Sequence, residues 1–106
     1  MTMYALKMYL SKKLNILNKS SSNETMNGMY FTYIDAHVLI VTENPSLHEL
    51  SNYIQEKIAA IEAAREITSS ETLSGMYFAC YDILQAMRPL LEKIENDETG
   101  ESQCKN

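Results

Sequence analysis

The sequence is poor in residues that interrupt regular structure, since its 106 residues include only three glycines and two prolines. This scarcity argues against a disordered chain and against a glycine-rich all-β fold. No apolar run approaches the roughly 18–20 residues that a membrane-crossing helix needs. The N-terminus also lacks the apolar segment and cleavage pattern of a secretory signal. A chain of this length is expected to form one domain with a thin core.

Cysteine is equally scarce, with two residues in the chain. Cys80 falls within a helical pattern and Cys104 falls in a polar tail, so the pair does not form a disulfide framework. Free thiols are typical of a reducing compartment. We therefore expect a cytoplasmic protein.

Acidic residues are absent from positions 1–22, which carry four lysines, whereas the remaining chain carries five basic and fourteen acidic residues, a balance of −9. An acidic body repels phosphate, so duplex nucleic acid is a poor candidate partner. The basic segment has three candidate partners, namely the acidic body of the same chain, an anionic membrane and an acidic protein.

Leucine spacing predicts a first helix over 3–17. Its apolar stripe is extended by Met3 and widened by Tyr9 and Ile16, and its main positions are Leu6, Leu10, Leu14 and Leu17. Positions 18–27 are rich in serine and asparagine and predict a linker. Positions 29–34 and 38–42 are rich in aromatic and β-branched residues and predict one or two short strands, with the stronger signal over 38–42. Two strands here would form a hairpin.

Two long helices are predicted to follow. Ser46 and Glu49 have capping-box spacing and predict a helix that ends near residue 67. Thr68 and Glu71 repeat that spacing before a helix over 71–95, and Ser69 and Ser70 are alternative caps. This last helix carries a heptad seam of Leu73, Tyr77, Cys80, Leu84, Met87, Leu91 and Ile94.

The predicted fold class is therefore α+β and mainly helical. Residues 1–28 form a basic amphipathic helix and a linker, 29–95 form the strands and an antiparallel helical hairpin, and 96–106 form a disordered acidic tail. Pro89 predicts a kink or break near residue 88. Because two helices alone cannot bury the wide apolar stripes, either the first helix and the strands cover them or a second copy does. We expect two copies to dimerise through the seam into a four-helix bundle.

Residues 23–35 and 70–82 resemble each other, with seven of thirteen positions identical and GMYF in both. The offset of 47 residues is typical of structural repeats. Three interpretations stay open: a partial duplication whose copies differ in structure, a chance match, and a paired recognition motif. If the first copy is helical like the second, the strand prediction over 29–34 is wrong.

No pattern of catalytic or ligand-binding residues is evident. His37, near Asp35, and His48 are the residues best suited to act as bases near neutral pH, and neither has metal-ligand spacing around it. The seam position of Cys80 predicts a buried, inert thiol. Phosphate-binding glycine motifs are absent. We therefore predict no catalytic residue, no cofactor and no metal.

Phe78, Tyr81 and the adjacent Asp82 lie beside the seam and are predicted to contact a partner, since aromatic residues are enriched at protein interfaces. The resulting hypothesis is a non-catalytic interaction module, such as an adaptor, regulator or inhibitor, in one version an acidic nucleic-acid mimic from a mobile element. One alternative is a peripheral membrane protein anchored by the first helix. Another is a small-ligand binder or enzyme built on His37, His48 and Asp35.

Overall fold

The computed structural model describes residues 2–19 and 23–104, with side chains over 3–18 and 23–93. These ranges form four helices and contain no strand: α1 (Thr2–Lys19), α2 (Glu24–Glu43), α3 (Leu47–Ile67) and α4 (Glu71–Cys104). Short links place consecutive helices antiparallel. As a result, α2 and α4 run parallel to each other, and they make the most extensive helix contact of the fold.

The prediction of an α+β fold is wrong, because both predicted strands lie within α2. The predicted boundary after residue 28 also falls inside this helix. The buried residues of α2 recur at helical spacing: Gly28, Thr32, Tyr33, Ala36 and Ile40. Strand propensity depends strongly on context, and packing of this face against α4 overrides the β-branched composition.

Helices α3 and α4 begin at predicted capping residues, although the cap of α4 is Ser70 and not Thr68. The Ser46 hydroxyl accepts from the backbone N–H of Glu49 (3.1 Å), and the Glu49 carboxylate accepts from the N–H of Ser46 (2.8 Å), which confirms the capping box. At the start of α4 the cap is Ser70, whose hydroxyl accepts from the N–H of Leu73 (3.3 Å). Thr68 instead ends α3.

The two resembling segments have the same structure. Asn23 caps α2 as Ser70 caps α4, 47 residues later. Both segments are helical, which excludes the interpretation that the copies differ in structure. The starts of α2 and α4 are therefore approximate repeats, and they pack on each other.

Glycine allows the close approach of α2 and α4. A methyl group on Gly28 would overlap the carbonyl oxygen of Thr72, and a methyl group on Gly75 would overlap the carbonyl oxygen of Thr25. The contacts are reciprocal, because Thr25 and Thr72 each precede the glycine of their own helix by three residues. Below this crossing lies the core, formed mainly by these fully buried side chains: Leu6, Leu10, Tyr33, Leu50, Ile54, Cys80, Ile83 and Met87.

Two further expectations concern α1 and α4. The α1 stripe is confirmed at Leu6 and Leu10, which are buried, but Ile16 is exposed. Helix α4 continues through Pro89 to Cys104, so the predicted break is absent from the described chain. Gln85 and Pro89 are both exposed. Proline has no backbone N–H, so Pro89 cannot donate a hydrogen bond to the Gln85 carbonyl. Water can solvate that carbonyl instead. Residues 96–104, predicted as a disordered tail, are included in α4.

Candidate protein-binding site

Phe78 and Tyr81 lie on the solvent-exposed part of the α4 surface. Phe78 is 62% exposed and Tyr81 is 43% exposed. Exposed large aromatic side chains next to each other are unusual on the surface of a small domain and often mark an interaction site. We call Arg65, Tyr77, Phe78 and Tyr81 the aromatic cluster.

The antiparallel packing of α3 on α4 places Arg65 beside Tyr77. The Arg65 guanidinium lies 4.8 Å from the centre of the Tyr77 ring, within the range of a cation–π contact. Tyr77 and Tyr81 are one helical turn apart, and their rings meet edge to face with centres 4.8 Å apart. The cluster is thus a set of ordered planar groups that present both aromatic and guanidinium surfaces.

Hydrogen bonds orient the phenol of Tyr77. Its hydroxyl lies 3.2 Å from the Glu62 carboxylate, to which it donates, and 3.5 Å from the Tyr81 hydroxyl. The bond to Tyr81, partial burial and the bond to Glu62 together raise the pKa of Tyr77 to about 12. The phenol is therefore protonated at neutral pH and remains a hydrogen-bond donor. Glu62 and Glu66 line a shallow groove beside Arg65 and Tyr77 and give this edge of the cluster acidic character.

Asp82, the third predicted partner-binding residue, is bonded within the chain. Its carboxylate accepts hydrogen bonds from the hydroxyls of Tyr33 (2.5 Å) and Tyr9 (2.7 Å), and Lys13 Nζ lies 3.7 Å away. Burial and the bond to Asp82 raise the pKa of Tyr9 to about 12 and raise the pKa of Tyr33 further. Asp82 therefore joins α1, α2 and α4, a structural role that competes with contact to a partner.

The predicted seam packs within one chain. Cys80 and Met87 are fully buried, and Leu73, Tyr77, Leu84 and Leu91 are partly buried against the core. Ile94 lies outside the described side chains. These intramolecular contacts cover much of the seam that we expected a second copy to bury.

The candidate catalytic groups do not converge. His37 Nε2 lies 3.2 Å from Ser11 Oγ, whereas His48 is exposed in the first turn of α3. Asp35 binds Lys57, with 3.1 Å between carboxylate oxygen and Nζ. Burial raises the pKa of the Cys80 thiol to about 11, which disfavours the nucleophilic thiolate. Over the described residues, His, Cys, Asp and Glu form no group of three that could hold a metal ion.

Sequence reasoning missed part of the site. The spacing of Tyr77 and Tyr81 by four residues was a usable signal, but assignment of Tyr77 to the seam obscured it. The contact of Arg65 with Tyr77 depends on how α3 and α4 are aligned along each other. The spacing of residues within one helix does not predict this alignment. Because residues 29–42 were assigned to strands, the outward position of Phe31 on α2 was also missed.

Comparison with known proteins gives no assignment, because no protein-family model, no curated protein and no solved structure matches this chain. Within residues 2–19 and 23–104, each helix is too short or too polar to cross a lipid bilayer. A functional assignment therefore depends on the surfaces of the molecule.

Proposed function

We propose that this protein is a non-catalytic interaction module, an adaptor, regulator or inhibitor, that binds another protein through the aromatic cluster. The supporting observation is the exposure of Phe78 and Tyr81 beside the ordered Arg65–Tyr77 pair. Tyrosine and arginine are enriched among residues that dominate binding energy at interfaces. Ordered side chains also lose less conformational entropy on binding than free ones.

The charge around the cluster indicates the class of partner. Glu62 and Glu66 lie beside it, and Glu71 is exposed at the start of α4. A partner with lysine or arginine around an apolar centre complements this surface and is attracted over a distance. Nucleic-acid-binding proteins have such surfaces, so the mimic version of the hypothesis belongs to this proposal.

Site-specific crosslinking in cells of the natural source tests the proposal. A photoreactive phenylalanine analogue is placed at position 78 and, as a control, at exposed Asn52 on α3. We expect a discrete protein adduct from position 78 only. With the identified protein purified, Phe78→Ser is expected to weaken its affinity for this chain by tenfold or more, the cost of losing a central aromatic contact. Equal crosslinking at both positions, or unchanged affinity, would overturn the proposal.

The membrane alternative has less structural support. Leu6 and Leu10, the centre of the α1 stripe, are buried in the core. An interfacial helix must present this stripe to lipid, so α1 would have to detach from α2 before binding. The small-ligand alternative needs a histidine beside a carboxylate, and His37 instead contacts Ser11.

A further inference from the structure

A second apolar surface lies on the outer sides of α1 and α2. Its five members are each 48–60% exposed: Tyr4, Met8, Phe31, Val38 and Val41. We call these residues the outer surface. Phe31 and Phe78 hold equivalent positions in the two copies of GMYF, on helices that face each other. They therefore point in opposite directions, and the outer surface is separate from the aromatic cluster.

The contact between α1 and α2 makes the outer surface continuous. Ser11 Oγ and His37 Nε2 are 3.2 Å apart where the two helices meet. Because the helices are antiparallel, Met8, three residues before Ser11, lies level with Val41, four residues after His37. On α2, Phe31 and Val38 are seven residues apart and share one side of the helix. The apolar side chains thus extend across both helices.

The two helices of this surface have opposite charge. The sequence of α1 contains lysines and no acidic residue, whereas α2 contains Glu24, Asp35 and Glu43 and neither lysine nor arginine. Lys12, Glu24 and Glu43 are exposed. The two ion pairs of the described residues join Lys13 with Asp82 and Asp35 with Lys57, so they leave these three charges available.

We propose that the outer surface binds a second copy of this chain in a two-fold symmetric dimer, with α1 of each copy against α2 of the other. A two-fold interface must be complementary to itself. A surface with one basic and one acidic helix meets this condition. The two-fold axis generates two equivalent contacts, and in each of them the basic α1 of one copy lies against the acidic α2 of the other. The dimer leaves both aromatic clusters exposed, so this inference does not depend on the proposed function.

Solution mass measured by light scattering over a concentration series tests the dimer. We expect a mass near twice 12.1 kDa at high concentration. Phe31→Ser is expected to raise the dimer dissociation constant at least tenfold, whereas Phe78→Ser, its matched control, is expected to leave it within twofold. A wild-type monomer at all concentrations, or a dimer that Phe78→Ser weakens and Phe31→Ser does not, would overturn the proposal.

Charge reversal distinguishes this dimer from other associations through apolar contact. One chain carries Lys7→Glu and Lys12→Glu, which lowers the net charge of α1 from +4 to 0 and places two carboxylates opposite the acidic α2 of another copy. The other carries Glu24→Lys and Glu43→Lys, so both helices are basic. We expect each chain alone to be monomeric and an equimolar mixture to form heterodimers, because both interfaces of the mixed pair are complementary.

Circular dichroism establishes that both charge-reversed chains are folded before they are mixed. If a folded chain still dimerises by itself as tightly as the wild type, charge complementarity is wrong and the proposal fails. If neither chain associates with the other, the proposal fails as well. A wild-type protein that stays monomeric and still binds its partner through the aromatic cluster would overturn the dimer while leaving the proposed function intact.

Discussion

Gly28 of α2 and Gly75 of α4 face each other as equivalent residues of two parallel helices, each against the backbone of the other. A methyl group on Gly28 would also lie 3.0 Å from the backbone nitrogen of Met76, and one on Gly75 would lie 3.1 Å from that of Met29. The neighbouring groups are backbone atoms of packed helices, so they cannot move aside without displacing a helix. This reciprocal contact sets the distance between the two hairpins.

Alanine at either glycine is expected to destabilise the fold. In an exposed helix, Gly→Ala is favourable by about 1 kcal/mol, whereas overpacking a close contact costs about 1–3 kcal/mol or more. We expect Gly28→Ala and Gly75→Ala each to lower the free energy of unfolding in urea by roughly 2 kcal/mol. Asn52→Ala at an exposed position of α3 is the helix-propensity control. A glycine variant that is as stable as this control would contradict the close contact.

Neutralising Asp82 is expected to cost more stability than neutralising Asp35, its equivalent in the first hairpin. Asp82→Asn weakens two part-buried hydrogen bonds from Tyr9 and Tyr33, and bonds to charged groups contribute about 1.5–3 kcal/mol each. Asp35→Asn removes one ion pair to Lys57 from a carboxylate that is half exposed, worth about 0–1 kcal/mol. Denaturant titration of both variants measures the difference, and equal losses would refute the assigned role of Asp82.

Stability is expected to fall steeply at alkaline pH. The folded state raises the pKa of Tyr9 to about 12 and that of Tyr33 further, whereas tyrosine in an unfolded chain has a pKa of about 10. Below pH ~10 these tyrosines are protonated in both the folded and the unfolded protein, so their contribution to the free energy of unfolding is fully present there. Above it the unfolded state loses its protons first, and stability declines.

Guanidinium unfolding curves at pH 8 and at pH 11 measure this decline. Cys80 contributes in the same direction, because burial raises its pKa to about 11. The variant Tyr33→Phe isolates the tyrosine contribution: it is expected to be less stable at pH 8 and to lose less stability than the wild type between the two pH values. An identical pH dependence in the variant would show that Tyr33 is not responsible.

The Cys80 thiol is expected to resist alkylation in the folded protein. It is fully buried, and burial raises its pKa to about 11, although the charge of Lys57 partly offsets this effect. In a chain carrying Cys104→Ser, alkylation by iodoacetamide at pH 8 should be at least about a hundredfold slower in buffer than in denaturant, because the thiolate is rare and shielded. Similar rates in both solutions would contradict the buried position.

Part of the candidate site was readable from the sequence. Phe78 and Tyr81 lie off the heptad pattern, and they are exposed on α4. Asp82 shares their helix and adjoins Tyr81, yet it bonds to side chains that are 49 and 73 residues away in the chain. Helical spacing describes neighbours on the same helix only. It therefore could not distinguish a residue available to a partner from one that holds three helices together.

The sequence by itself determined the helices whose apolar residues recur at helical spacing and whose ends carry capping residues. These local signals predict α1, α3 and α4, and they include the capping box at Ser46. Only the tertiary structure decided the state of residues 29–42, where β-branched residues favour strands locally. The burial of Thr32, Ala36 and Ile40 in helical register outweighs that weak preference. The glycine contacts that permit this packing join segments 47 residues apart, beyond the reach of local pattern.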